Sequence, residues 1–267
     1  MIAPVSPAHP ANGIRPLLDY ERLGRIAASQ ADSFRSADPF PHLMIDDFLS
    51  PDLVDAVVAE IPDYRQVKAN KDAWETLDDG SVAQYRKSFL SMEMRVGRLT
   101  RQLYWELNSA DFLTFLEQLT GVRGLVPDPY LLGGGIHETQ RGGYLMVHAD
   151  FNKHPELKLD RRLNIIIYLN RDWPDEYGGH LELWDKPMQH CVQKIAPLAG
   201  RCVIFKTGRD TWHGHPHPLN CPEGRTRQSL ALYYYSNGRP EEEGNEEHLT
   251  LWQKTEGQVV VNEDHSA

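Results

Sequence analysis

After Leu125 the chain breaks into short apolar runs, each closed by Gly, Pro or Asn: "GYLMVHADF", "LNIIIYLN", "GGHLELWD", "CVQKIAPLAGRCVIF" and "RQSLALYYYS". A run of four to eight residues is too short to present a helical face, so these segments read as strands. Short strands at regular spacing with turn residues between them fold as an antiparallel sandwich or barrel. No internal repeat interrupts the pattern. The second half of the chain is therefore expected to be mainly β.

The first half has a different texture. Apolar residues recur near helical spacing from Leu17 to Ala28. Ser50 followed by Pro51 is a helix start, a capping hydroxyl and then a residue whose missing N–H costs nothing there. Leu53, Val54, Val57, Val58 and Ile61 form the stripe that follows, and Pro62 stops it. A longer helix is predicted from about Met92 to Leu107. Ser109 caps another, with Phe112, Phe115, Leu116 and Leu119 facing inward and Gly121 ending it. The polar stretch "KANKDAWETLDDGSVAQYRK" reads as loop, and "RPEEEGNEEH" as a solvated loop. The expected organisation is a flexible leader over 1–16 and a helical N-terminal support region over 17–124 that buttresses the β core. That core runs over 125–240 and is followed by an acidic C-terminal extension over 241–267, whose last ten residues are expected to fray.

Composition excludes several function classes. A formal net charge of -10 argues against a nucleic-acid backbone as partner, since phosphates demand a basic surface. No run of 18 apolar residues is present, so no membrane span is expected. The opening "MIAPVSPAHPANGIRPLL" has no basic segment leading into an apolar core, the signature of a secretory signal. Cys191, Cys202 and Cys221 are odd in number and lack CxxC spacing, which predicts free thiols in a reducing compartment, most simply the cytoplasm. No feature of the sequence bears on oligomeric state.

The chemistry concentrates at "YLMVHADFN". In an extended strand, residues two apart share a face, so His148 and Asp150 project side by side as a metal chelate, a hydrogen-bonded pair or a coincidence. Composition alone yields roughly 1.7 His-x-acid pairs by chance, and three are present: His148/Asp150, His154/Glu156 and His180/Glu182. Surroundings separate them. Pro155 interrupts one and a glycine turn precedes another, and neither is read as a ligand pair. A non-haem Fe(II) site needs two imidazoles and one carboxylate on one face of the metal. The second imidazole should come from a late strand, where "WHGHPHP" offers His213, His215 and His217. His213 follows the strand "RCVIFKTG" and its turn. His215 and His217 precede prolines and read as loop. His215 stays open as an alternative ligand. His137, just upstream of the metal strand, is assigned no role. An Fe(II) oxygenase of this type draws electrons from 2-oxoglutarate, whose far carboxylate suits a planar guanidinium. Arg227 opens the strand "RQSLALYYY", with Ser229 on the same face, while Arg225 sits in turn-like "PEGRTR".

The ordered set "HAD", "NIIIYLNRDWPDEYGGHLELWD", "PLAGRCVIF", "WHG" and "RQSLALYYY" resembles the prolyl 4-hydroxylase-like branch of the iron(II)/2-oxoglutarate-dependent dioxygenases over residues 125 to 237. "PFPHLMIDDFLS" also resembles the approach to such domains. The resemblance implies a double-stranded β-helix, a jelly-roll or cupin-like core, beneath the helical layer of an α+β chain. It implies that His148, Asp150 and His213 are the iron ligands and that Arg227 pairs with the far carboxylate of 2-oxoglutarate, helped by Tyr168. Asn164 shares a strand face with Tyr168 and is expected to line the pocket. Gly178 and Gly179 are read as a tight turn, and Tyr233, Tyr234 and Tyr235 as packing without chemistry.

The implied reaction consumes O2 and 2-oxoglutarate, releases succinate and CO2, and hydroxylates an unactivated C–H bond, with ascorbate as a possible reductant. The carboxylate of Asp150 favours hydroxylation over halogenation, where a small residue stands at that position. Two other classes compete: a non-catalytic jelly-roll binding protein and a zinc hydrolase on the same triad. The substrate is expected to be a small molecule or a peptide. The loop "FNKHPELKLDRR" carries Lys153, Lys158, Arg161 and Arg162 and reads as a solvated rim.

Overall fold

The computed structural model describes residues 15–62, 76–91, 96–244, 246–258 and 260–261. Four helices come first or lie between the early strands: α1 (Tyr20–Ser36), α2 (Pro51–Glu60), α3 (Arg98–Leu107) and α4 (Ala110–Thr120). The Ser50 hydroxyl accepts from Leu53 N to start α2, and Ser109 does the same from Phe112 N for α4. Gly121, at φ 76°, closes α4 in the left-handed conformation that costs glycine nothing. The third helix begins at Arg98 rather than near Met92, and Met92–Arg95 lie outside the described residues. Gly97 gives it no side-chain cap. Glu60, at the end of α2, supplies one in trans: its carboxylate accepts from Leu99 N at 3.0 Å, Thr100 N at 2.7 Å and the Thr100 hydroxyl at 2.8 Å.

Among the described residues, eleven strands form one rolled sheet. They are β1 (His42–Ile45), β2 (Gln84–Leu90), β3 (Val126–Pro127), β4 (Gly135–Ala149), β5 (Asp160–Tyr168), β6 (Leu181–Trp184), β7 (Cys191–Ile195), β8 (Cys202–Lys206), β9 (His213–His215), β10 (Thr226–Ser236) and β11 (Leu251–Gln253). The order is β1-β8-β5-β10-β4-β9-β6-β7, with β2 and β11 also paired to β4 and β3 to β10. This is the mainly β jelly-roll expected from the sequence. The long strand β4 serves both halves of the roll. Its first part, Gly135 to Gln140, pairs with β10, and its second part, from Leu145, pairs with β9. Between them Gly142 takes φ 76°, and a Cβ on Gly143 would sit 2.7 Å from Tyr85 O. Two glycines thus let one strand change partners where a side chain would block the approach.

Side-chain alternation then sorts the core. Leu163, Ile165 and Ile167 of β5, with Leu230, Leu232 and Tyr234 of β10, face the helices and join one cluster with Phe34, Leu103, Phe112 and Leu116. Each such fully buried side chain contributes about 1.5–3 kcal/mol. The Tyr234 hydroxyl donates to Leu107 O at 2.8 Å, tying the sheet to the end of α3. The opposite face of the same strands carries Asn164, Ile166, Ser229, Ala231 and Tyr233, which line the interior of the roll.

Three sequence expectations are corrected. "KANKDAWETLDDGSVAQYRK" is not all loop: from Gln84 it is strand β2, paired along β4, while its residues before Thr76 lie outside the described ones. A bulge at Arg86, φ 48°, masks the alternation there. "RPEEEGNEEH" is not merely solvated, because Glu243 takes ion pairs from Arg162 at 3.1 Å and Lys206 at 2.6 Å. Of the last ten residues, expected to fray, Val261 is tied down, its N–H donating to the buried Tyr144 hydroxyl, and just before them the chain is laid on the roll as β11. Residues 262–267 lie outside the described ones. Among the described residues no helix is long and apolar enough to cross a membrane.

The trans cap yields a stability prediction. Burial alone would raise the Glu60 carboxyl, but the N–H groups of Thr100 and Leu99 outweigh it and hold its pKa below the usual value. Such a group stabilises above the unfolded-state pKa and loses that contribution as pH falls through its folded-state value. Glu60→Ala should cost about 1 kcal/mol at neutral pH. Urea unfolding should show the gap between the two proteins closing as pH drops through the carboxylate range.

Candidate active site

The roll encloses a cavity of about 240 Å³ between its two halves. His148 comes from the end of β4, Asp150 from just beyond it and His213 from β9, whose register sets His213 directly opposite His148. His148 Nε2 stands 3.5 Å from Asp150 Oδ1, and His213 Nε2 stands 3.4 Å from Asp150 Oδ2. One ligand atom from each of the three lies within 4.8 Å of the others, and among the described residues no other His, Cys, Asp and Glu group does this. His180 turns to Asp175 instead, and the His154 ring accepts from the Glu156 and Leu157 N–H groups.

The tautomers are fixed by the backbone. His148 Nδ1 lies 3.0 Å from Met146 O, and His213 Nδ1 lies 2.9 Å from Thr211 O. A carbonyl can only accept, so Nδ1 carries the proton and the Nε2 lone pair of each ring faces the carboxylate. Burial, with His148 beside it, pushes the His213 imidazolium down to about 4, so the ring is neutral at physiological pH. Phe205 packs edge-on against His213 at 4.7 Å, and Trp252 of β11 lies over His148 at 4.9 Å.

Asp150 is held by two partners that the sequence reading did not assign to it. Arg161 Nη2 approaches Oδ2 at 3.2 Å, and Asn164 Nδ2 donates to the same oxygen at 2.6 Å. Arg161 in turn donates to Asn164 Oδ1 through Nε and Nη2, and its guanidinium lies 3.5 Å from the centre of the Tyr233 ring. Burial would raise the Asp150 carboxyl, but the Arg161 charge and the two imidazoles hold it well below the usual range. Oδ1 is left as the oxygen that neither Arg161 nor Asn164 claims.

At the far wall stands Arg227, 5% exposed. Its Nε donates to Gly179 O at 2.7 Å and its Nη2 to the Tyr168 hydroxyl at 3.4 Å. A Cβ on Gly179 would meet Arg227 Cδ at 2.9 Å, so the Gly178–Gly179 turn leaves the passage for this side chain. No carboxylate among the described residues pairs with Arg227. Ser229 and Asn164 line the same cavity, and Tyr168 is fully buried behind it. Arg225 instead caps backbone carbonyls of Arg171 and Asp172.

The structure thus brings His148, Asp150, His213, Asn164, Arg227 and Ser229 to one cavity, with Tyr168 in contact through Arg227. It corrects other readings. Arg161 and Arg162 are no rim: both are buried in β5. Stepping back by two from Tyr168, Ile166 and Asn164 points to Arg162, but a bulge opposite Tyr234–Tyr235 shifts the register and turns Arg161 inward. Tyr233, read as plain packing, lines the cavity against Arg161. His215 is not a ligand of the cluster and not a surface residue. It is buried, lines the cavity, and has neither ring nitrogen hydrogen-bonded. His137 and Lys87 also line the cavity. Only His217 is exposed as expected.

Comparison with known proteins bears on the same segment. Residues 134–235 match the family model of the 2OG-Fe(II) oxygenase superfamily. That match spans β4 to β10, contains all seven site residues expected from the sequence, and shows a 2OG-Fe(II) oxygenase domain over this segment of the chain. Among solved structures the fold is that of prolyl hydroxylases. A prolyl-4-hydroxylase from Pseudomonas putida is 18% identical, with a TM-score of 0.53 over 79% of this chain and 100% of that one. A prolyl hydroxylase from Trichoplax adhaerens, solved with a hypoxia inducible factor oxygen degradation domain peptide fragment, is 19% identical. Its TM-score is 0.55 over 81% and 90% of the two chains. A prolyl 4-hydroxylase from Phytophthora capsici is 17% identical, with a TM-score of 0.51 over 86% and 69%.

Removing Arg161 should strand a buried carboxylate. Breaking a buried ion pair from one side costs about 3–5 kcal/mol. Arg161→Met is therefore expected to lower the unfolding free energy by that order in chemical denaturation. Arg161→Met combined with Asp150→Asn should recover much of the loss, since the charge is then removed from both sides.

Proposed function

We propose that this chain is an Fe(II)- and 2-oxoglutarate-dependent hydroxylase of an unactivated C–H bond. In this reading His148, Asp150 and His213 hold the iron, and Arg227 holds the far carboxylate of 2-oxoglutarate, with Tyr168, Ser229 and Asn164 shaping its pocket. The observation that carries it is the pairing of a neutral-His, His, carboxylate cluster with a buried guanidinium that has no carboxylate partner among the described residues. Two imidazoles and one carboxylate suit Fe(II) and leave its remaining positions open. A desolvated guanidinium is costly unless an anion meets it, and a dicarboxylate chelating the metal would bring one.

Bound Fe(II) and 2-oxoglutarate would supply the oxidising power, one O2 yielding a hydroxylated product, succinate and CO2. The protein's own contribution is positional. Met146 O and Thr211 O hold the two imidazole tautomers. Arg161 and Asn164 keep Asp150 ionised and aim Oδ1 at the cluster. Tyr168 and Gly179 O hold Arg227 extended across the cavity floor. Phe205, Leu181 and Trp252 give the site apolar walls that exclude water. The substrate is a small molecule or a peptide, ascorbate restores the ferrous state, and the compartment is the reducing cytoplasm. The three free cysteines support the last of these.

Purified protein given Fe(II), O2 and 2-oxoglutarate should form succinate, and zinc should not replace iron. His148→Ala should reduce this turnover to background. Arg227→Gln should raise the KM for 2-oxoglutarate roughly 10–100-fold, the value of a charge-assisted hydrogen bond. Hydrolytic activity supported by zinc, with no iron-dependent succinate, would refute the reading in favour of a hydrolase. Full turnover by His148→Ala would refute the triad.

A further inference from the structure

The charges of this cavity do not balance. Lys87, Arg161 and Arg227 line it, each at most 6% exposed, and Asp150 is the one carboxylate among the described lining residues. Three cations against one anion leave two positive charges. On the oxygenase reading, on which this inference rests, loading adds none, since Fe(II) and the 2-oxoglutarate dianion cancel. Arg161 is already paired to Asp150, and Arg227 is assigned to 2-oxoglutarate. Lys87 is the lining cation left without an anion.

Lys87 is built into the wall. In register, Thr139 of β4 faces Lys87 of β2 on one side and Arg227 of β10 on the other, so the three project from adjacent strands to one face. The Lys87 ammonium donates to Gln84 Oε1 at 3.2 Å and reaches no carboxylate among the described residues. Burial and the neighbouring Arg227 push it down to about 8, which leaves it charged at neutral pH. Two further buried groups lack partners among the described residues: both ring nitrogens of His215, which lines the cavity, and the hydroxyl of Thr139, between Lys87 and Arg227 in register. Buried polar groups are hydrogen-bonded as a rule, and an unsatisfied cluster beside a cation with no carboxylate partner suits an oxyanion. At about 240 Å³ the cavity is smaller than the roughly 300–1,000 Å³ of sites for drug-sized ligands.

We propose that the substrate to be hydroxylated is a small anion, a carboxylate or phosphate ester, whose charged group is held by Lys87 and His215. Lys87 selects the substrate rather than the co-substrate, because the 2-oxoglutarate tail already has Arg227.

The test uses protein loaded with Fe(II) and 2-oxoglutarate under nitrogen and three probe pairs: L-glutamate and L-glutamine, L-proline and L-prolinamide, and O-phospho-L-serine and L-serine. A probe at about ten times its dissociation constant raises the melting temperature by about 3 °C. That rise is expected for the more anionic member of at least one pair and not for its partner, and the responding pair separates carboxylate from phosphate. Lys87→Met should abolish the rise and Lys87→Arg retain it. Equal responses in every pair, including none at all, overturn the proposal. So does a Lys87→Met protein that discriminates normally but binds 2-oxoglutarate more weakly, which would give Lys87 to the co-substrate. If Lys87→Met does not fold, discrimination by the wild type alone decides. The two readings fail separately. Absence of iron-dependent succinate from the wild type sinks the oxygenase, whereas normal succinate without charge discrimination sinks the anionic substrate.

Discussion

A carboxylate can be kept ionised inside a protein only if other groups replace the water it gives up. Asp150 is such a carboxylate, and the interior of this roll is arranged around it. Arg161 and Asn164 meet one oxygen, two imidazoles face it, and the ring of Tyr233 lies against the guanidinium that does most of the holding. The interaction is also a positional device. With Oδ2 engaged, the carboxylate cannot rotate freely, and the two Nε2 lone pairs are presented to a fixed partner. His213 stays neutral against the pull of that charge, because burial and the neighbouring His148 outweigh it.

The backbone makes the arrangement possible by reusing β4. One strand supplies His137 to the wall shared with β10 and His148 to the wall shared with β9. Strand sharing of this kind places groups from both halves of the roll within a few ångströms without long loops. It works because Gly142 and Gly143 break the pleat where the partner changes. The helices contribute nothing to the chemistry directly. They cover the outer face of β5, β8 and β10, and so let those strands be apolar on one side and functional on the other.

Much of this was legible in the sequence, and the physical reason is periodicity. Where a strand is regular, counting by two gives the face: Asn164, Ile166 and Tyr168 turn inward together, as do Arg227 and Ser229. Short signals with local causes were also legible, such as the Ser50 and Ser109 caps and the Gly178–Gly179 turn. What escaped lies where regularity fails. Arg161 escaped because a bulge moves the inward position by one residue. Lys87 escaped because a bulge and a polar stretch disguise β2 as loop. His215 precedes a proline, a valid bias towards extended backbone that says nothing about burial. Trp252 escaped because the approach of β11 to His148 is a pairing across about a hundred residues of chain, which no local pattern encodes.

That last strand has a consequence for how the protein is made. β11 pairs with the segment of β4 that carries His148, and Trp252 lies over its imidazole. A ribosome releases every other strand of the roll before this one. The nascent barrel therefore passes through a stage in which the His148 ring is bare on one side, until β11 is laid down. A substitution in β11 therefore reaches the His148 ring from far along the chain, as directly as a change in the strand that carries it.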